Sequence, residues 1–160
     1  MAPVALNNDT ITLTKDVALM SPNGFSSSNE LTILSSSSTA RELAWIVPSD
    51  APGVTWTAKD AAYPAQLSPT CSASLSPNIS MSKLSSLTNV KWMIYTPCFA
   101  SLSFDHKNFE GQIIAGAVDM STGGKLKWAN MGISGAIGTG GASTPATLTV
   151  TLTSRYDVSG

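Results

Sequence analysis

One histidine, two cysteines and ten carboxylates are the residues of this 160-residue chain best equipped for chemistry. His106 stands in Phe104-Asp105-His106-Lys107-Asn108, where Asp105 or Asp119 would orient the imidazole toward one of many serines, the arrangement a hydrolytic triad needs. No Gly-x-Ser-x-Gly elbow presents an exposed nucleophile, so a turn histidine among polar neighbours is the preferred reading and no catalytic residue is assigned. Asp105, Glu110 and Asp119 would approach one another across adjacent turns of a coiled chain. A polysaccharide-cleaving enzyme needs such acids on one face, whereas isolated surface acids account for them through solubility alone.

Cys71 and Cys98 lie 27 positions apart, with Pro97 beside the second. In an exported protein such a pair forms a disulfide, and closing a loop of that length stabilises the fold by roughly 3 to 4 kcal/mol. The bond would pin a proline-rich stretch to the end of the strand around Trp92; two unrelated buried thiols are the alternative. Zinc would need two more ligands, so neither a metal nor a cofactor is expected. Gly135-Ala136-Ile137-Gly138-Thr139-Gly140-Gly141 has glycines enough for a phosphate loop but is followed by Ala142 to Pro145 in place of a lysine and a helix, and is read as a turn. Trp45 and Trp92 fall in apolar runs and belong to the core. Trp56 and Trp128 fall outside those runs, where exposure would let them stack on a sugar ring or a partner protein. Asn8-Asp9-Thr10 and Asn78-Ile79-Ser80 are sequons of the kind expected by chance in so hydroxyl-rich a chain.

Only 12% of the residues are charged and the net charge is −1, while 24 serines and 17 threonines supply the polar surface. Lysine and arginine occur singly, which argues against a nucleic-acid partner, since phosphate binding needs a basic stripe. Serine and threonine compete with helical backbone bonds, and threonine suits a pleated surface, so short strands are expected and an all-helical fold is close to excluded. No apolar run is long enough to span a bilayer, and Met1-Ala2-Pro3-Val4 lacks the basic and apolar regions of a signal peptide. The chain is therefore expected to be an excised ectodomain with an added starting methionine, not itself inserted in a membrane.

Strand patterns occur at Ile11 to Leu13, Val17 to Leu19, Leu43 to Val47, Val90 to Tyr95, Leu102 to Phe104, Gln112 to Val118, Gly132 to Ile137 and Leu148 to Thr153. Val90 to Tyr95 is apolar on both faces and so is expected to be buried on both, or covered by the preceding segment. Residues 48–89 read as a loop-rich, proline-rich excursion with at most short helical pieces from Lys59 to Gln66. Residues 138–160 read as a glycine-rich turn and a final strand, able to cap the end of the fold or to pair with a neighbouring molecule. Ile94 to Ile113 spans 19 residues and Ile113 to Ile133 spans 20, and a period near 20 predicts a right-handed parallel β-solenoid, or β-helix, occupying residues 1–160 as a single mainly β domain. An antiparallel β-sandwich is the alternative.

Asp16-Val17-Ala18-Leu19-Met20 with Asn23-Gly24-Phe25-Ser26, then Trp45-Ile46-Val47-Pro48, Ile94-Tyr95-Thr96-Pro97-Cys98 and Asn108 to Gly116 together resemble a group of exported bacterial surface proteins. That group is best represented in high-GC Gram-positive bacteria and is associated with pilus-assembly or pilin-like genes. The resemblance covers roughly residues 10 to 120. It implies a single-pass, membrane-anchored ectodomain with a β-solenoid-like body, a cysteine that pairs, and no enzymatic activity. The resulting expectation is a non-enzymatic structural or adhesive protein, extracellular or at the cell surface, held there by a segment absent from this chain. Its partners would be other surface or pilus proteins, or further copies joined through strand edges. The alternatives are a carbohydrate-active enzyme using Asp105, Glu110 or Asp119, and a glycan-binding module using Trp56 or Trp128.

Overall fold

Apolar side chains alternating with small hydroxyl-bearing ones give a pleated surface that buries one face and wets the other, and strands form where that alternation holds. The computed structural model describes residues 2–58, 67–74, 77–104, 108–121 and 125–131. These form eleven strands and no helix: β1 (Val4–Ala5), β2 (Asp9–Leu13), β3 (Val17–Met20), β4 (Phe25–Ser35), β5 (Arg41–Ile46), β6 (Val54–Ala58), β7 (Leu67–Cys71), β8 (Ile79–Thr88), β9 (Val90–Ser103), β10 (Asn108–Ser121) and β11 (Lys125–Trp128). Nine belong to one large sheet, parallel in every pairing, and β6 and β7 form a separate antiparallel pair. The protein is thus mainly β, built on a large parallel sheet.

Its registers fall into three ladders. The first stacks Val4, Phe25, Ile79, Ala100 and Val118. The second stacks Val17, Leu43, Trp92, Gly111 and Trp128. The third stacks Ile11, Ile33 and Leu87. The chain enters the first, third and second in that order through β1, β2 and β3, and repeats the order through β4 and β5, then through β8 and the start of β9. Ile94 pairs with Ile113, the 19-residue step read from the sequence. The next step is shorter, because Gly111 pairs with Trp128; Ile133 and the strand expected around it lie outside the described residues.

In-register parallel partners point to the same side, so each ladder places one column of apolar side chains inside. Leu31, Ile33, Leu43, Ile79, Leu84, Ile94, Ala100 and Leu102 are fully buried there. Aromatic rings run through this interior. Phe25 stacks on Trp45 at 4.9 Å, Trp45 meets Trp92 edge-on at 4.6 Å, and Trp92, Phe109 and Phe104 continue the series at 5.9 and 5.3 Å. Trp45 and Trp92 are core residues, as their apolar runs predict.

Two sequence expectations need correction. The excursion does not extend to residue 89, because Ile79–Thr88 is β8, a full member of the large sheet. Its alternation is concealed by register shifts against β4, where the apolar phase slips between Ser27 and Glu30 and again between Leu31 and Thr32. β4 itself was absent from the predicted strands, since Ser26-Ser27-Ser28-Asn29-Glu30 separates its apolar residues. The outer side of Val90 to Tyr95 is covered by the chain beyond β11: Met131 packs with Met93 and Ala44. The helical pieces expected from Lys59 to Gln66, and the turn and strand of 138–160, lie outside the described residues.

Candidate functional site

Among the described residues the excursion contributes an antiparallel hairpin, β6 with β7. Pro48 ends β5 by withholding an N–H after Val47 has bonded to Tyr95, and the Ala51 and Val54 amides then close a turn on Pro48 and Ala51. The hairpin pairs Val54 with Cys71 and Trp56 with Pro69. Cys71 is disulfide-bonded to Cys98 of β9, with Cα atoms 5.8 Å apart, so the hairpin is fastened to the sheet as the sequence predicts.

Beside the disulfide lies an open groove of about 390 Å³, whose walls include Pro69, Asn78, Pro97, Phe99 and Gly116. Polar groups in and beside its walls are engaged with the backbone. The Asn78 side-chain carbonyl accepts the Phe99 amide at 3.2 Å, and the buried Thr96 hydroxyl donates to the Pro77 carbonyl at 2.9 Å while accepting the Cys98 amide at 3.1 Å. No titratable side chain lines the groove. Its described lining mixes polar and apolar surface in similar parts.

Trp56 is 38% exposed on β6 and its indole N–H donates to the Ser49 carbonyl at 2.7 Å, which fixes the ring on the hairpin. Trp128 is 71% exposed on β11, at the far end of the large sheet. These two candidate binding residues stand on different sheets. Trp128 also differs in direction from an outward sugar platform. It shares the second ladder with the fully buried Trp92, so it occupies an inward-facing position in a layer with no next strand among the described residues.

The candidate acids are not assembled into a pair among the described residues. Glu110 and Asp119 lie on the same strand, separated by about 30 Å of extended chain, against the roughly 5 to 10 Å that spans a glycosidase pair. Glu110 is engaged by Lys127, its register partner on β11, at 3.1 Å. Asp105 and His106 lie outside the described residues. Among the described residues no three His, Cys, Asp or Glu side chains gather as metal ligands would.

Removing the disulfide is expected to loosen the hairpin first. Cys71→Ser with Cys98→Ser should lower unfolding free energy by about 2 to 4 kcal/mol, read from denaturant midpoints. Adding reductant to the unaltered chain should lower its melting temperature toward that of the double variant. Equal stability with and without the bond would show that the hairpin is held by other contacts. No helix of the described residues is long and apolar enough to cross a membrane. No protein family, curated protein or solved structure matches this chain.

Proposed function

We propose that this chain is a right-handed parallel β-solenoid serving as a non-enzymatic structural or adhesive ectodomain at the cell surface, in company with pilus-type proteins. The observation that carries the reading is the repeated order of the three ladders, with inward columns such as Val4, Phe25, Ile79, Ala100 and Val118 stacked and no helix among the described residues. Parallel strands ordinarily return through a long crossover; a chain that returns through further strands instead favours coils. Such a body is a rigid rod with extended sides, a form suited to spacing and contact. The Cys71–Cys98 bond favours an oxidising compartment. The resemblance of Asp16 to Gly116 supplies the pilus association.

Cell fractionation tests the surface role. In the native producer, mechanical shearing of intact cells should release the protein together with pilus material, with the disulfide closed. Recovery in the cytosol with free thiols would overturn the proposal. So would release of reducing ends from a polysaccharide by the purified chain, if Glu110→Gln abolished it.

A further inference from the structure

The sequon Asn78-Ile79-Ser80 leads into β8, where Ile79 and its register partner Ala100 are both fully buried. Side chains alternate along a strand, so Asn78 and Ser80, on either side of Ile79, point outward, as does Phe99 beside Ala100. Ser80 is exposed, Phe99 is 38% exposed and Asn78 is half-buried. The Asn78 side-chain carbonyl accepts the Phe99 amide at 3.2 Å, which holds the carboxamide beside the phenyl ring's strand; its Nδ2 finds no partner among the described residues.

A bulge shapes the groove that Asn78 lines. Thr96 pairs with Ala115 and Phe99 with Ala117, so Pro97 and Cys98 together oppose Gly116. Such a bulge bends its strand and re-aims the side chain that follows, here Phe99. Gly116 and Ala117 have no side chain large enough to fill the space. Its volume of about 390 Å³ is near the lower end of the roughly 300 to 1,000 Å³ of small-molecule sites, room for one ring and little more. A pyranose has an apolar face and a hydroxyl edge. Phe99, Pro69 and Pro97 suit the face, and Asn78 and Ser68 suit the edge.

We infer that Asn78 carries an N-linked sugar whose first ring lies in the disulfide groove with its face on Phe99. A sequon marks a surface asparagine as acceptor in an exported protein. Transfer joins Nδ2 to the anomeric carbon of a sugar carried on a lipid diphosphate: the C–N bond forms, the bond to the diphosphate breaks, and the amide proton passes to a base of the transferase. Oδ1 takes no part, so its bond to the Phe99 amide survives. Asn78 lies within the loop that Cys71 and Cys98 close, and its carboxamide is partly enclosed, so transfer precedes closure. Asn8-Asp9-Thr10, the other sequon, differs in setting: Asn8 is exposed in the turn between β1 and β2, with a φ of 58°, and is absent from the groove's walls. The inference rests on export of the chain, as the surface role does.

Mass mapping of the protein sheared from its native producer tests it. The peptide that holds Asn78 should be heavier by the sugar, and enzymatic release of the glycan in heavy-oxygen water should leave labelled aspartate at position 78. Ser80→Ala should lower occupancy ten-fold or more with the disulfide still closed, whereas Asn8→Gln should leave it unchanged. Phe99→Ala should keep the sugar attached but let a glycosidase remove it about ten-fold faster. A closed disulfide beside a bare Asn78, a sugar at Asn8 alone, or equal release with and without Phe99 would overturn the inference while leaving the surface role standing. A cytosolic chain with open thiols would fail both. The mass map uses the unaltered chain and so decides even if a variant fails to fold.

Discussion

Substituting Trp92 by alanine is expected to cost about 3 to 5 kcal/mol of stability, the range seen when a large buried aromatic is removed. Domains of this size are stable by only about 5 to 15 kcal/mol, so the variant should be largely folded at low temperature and unfold early on heating. Trp92 is fully buried, meets Trp45 edge-on at 4.6 Å and lies 5.9 Å from Phe109. Its register partner on β10 is Gly111, which has no side chain to move into the vacated space. The cavity would therefore stay largely open. Trp92→Phe should be much milder, at about 1 to 2 kcal/mol, because it keeps a ring in the column and removes an indole N–H that is buried without a hydrogen-bond partner. Denaturant unfolding of both variants checks the pair. A loss below about 1 kcal/mol for the alanine variant would show that the aromatic series does not hold the layers together.

The same column shows how far the sequence could be read. Leu43 to Val47 and Trp92 to Tyr95 are continuous apolar runs, and their burial, the 19-residue step from Ile94 to Ile113 and the Cys71–Cys98 bond follow from residue types and spacing. β4 and β8 were harder to see. Their inward residues are Phe25, Leu31 and Ile33 on one and Ile79, Met81 and Leu84 on the other; polar Ser26 to Glu30 interrupts the first, and the second changes phase between Met81 and Leu84, where the strands shift register, so a period-two reading stops at each. Serines at the shifts find partners, Ser27 locally by donating to the Asn29 carbonyl at 2.6 Å and Ser82 across the strands by donating to the Ser27 carbonyl at 2.7 Å. These bonds satisfy the backbone without leaving an apolar signature.

The candidate binding residues were legible in type but not in direction. Trp56 and Trp128 both fall outside the strongest apolar runs, which marks them as candidates for exposure, and both are exposed. Only the register separates them. Trp56 is tied to the Ser49 carbonyl on a hairpin beside the disulfide groove, whereas Trp128 lies over the core columns. Direction depends on which strand lies beneath a residue, and that is a long-range property no local pattern contains. Two ion pairs among the described residues show the same dependence: Glu30 with Lys83 and Glu110 with Lys127 are register partners on neighbouring strands, though far apart in the chain. Exposed as they are, they mark the register more than they stabilise it.

Gly111→Ala is expected to be nearly as damaging as the loss of Trp92, for a different reason. Gly111 has a φ of 153°, in a region that L-residues with a Cβ avoid. A Cβ there would also overlap the Trp92 carbonyl oxygen and come within 2.8 Å of the Trp92 carbonyl carbon and amide nitrogen. Strain of about 1 to 3 kcal/mol from the backbone angle and a further 1 to 3 from overpacking place the loss between about 2 and 6 kcal/mol. All three overlapping atoms belong to the Trp92 main chain, which the ladder holds between Leu43 and Gly111. Shortening the Trp92 side chain therefore gives the new methyl no room. Gly111→Ala should cost the same in the Trp92→Phe background as in the unaltered chain, within about 0.5 kcal/mol, when both are measured by denaturant unfolding. A markedly smaller cost in that background would mean that the indole, and not the backbone of β9, sets how closely β10 can approach.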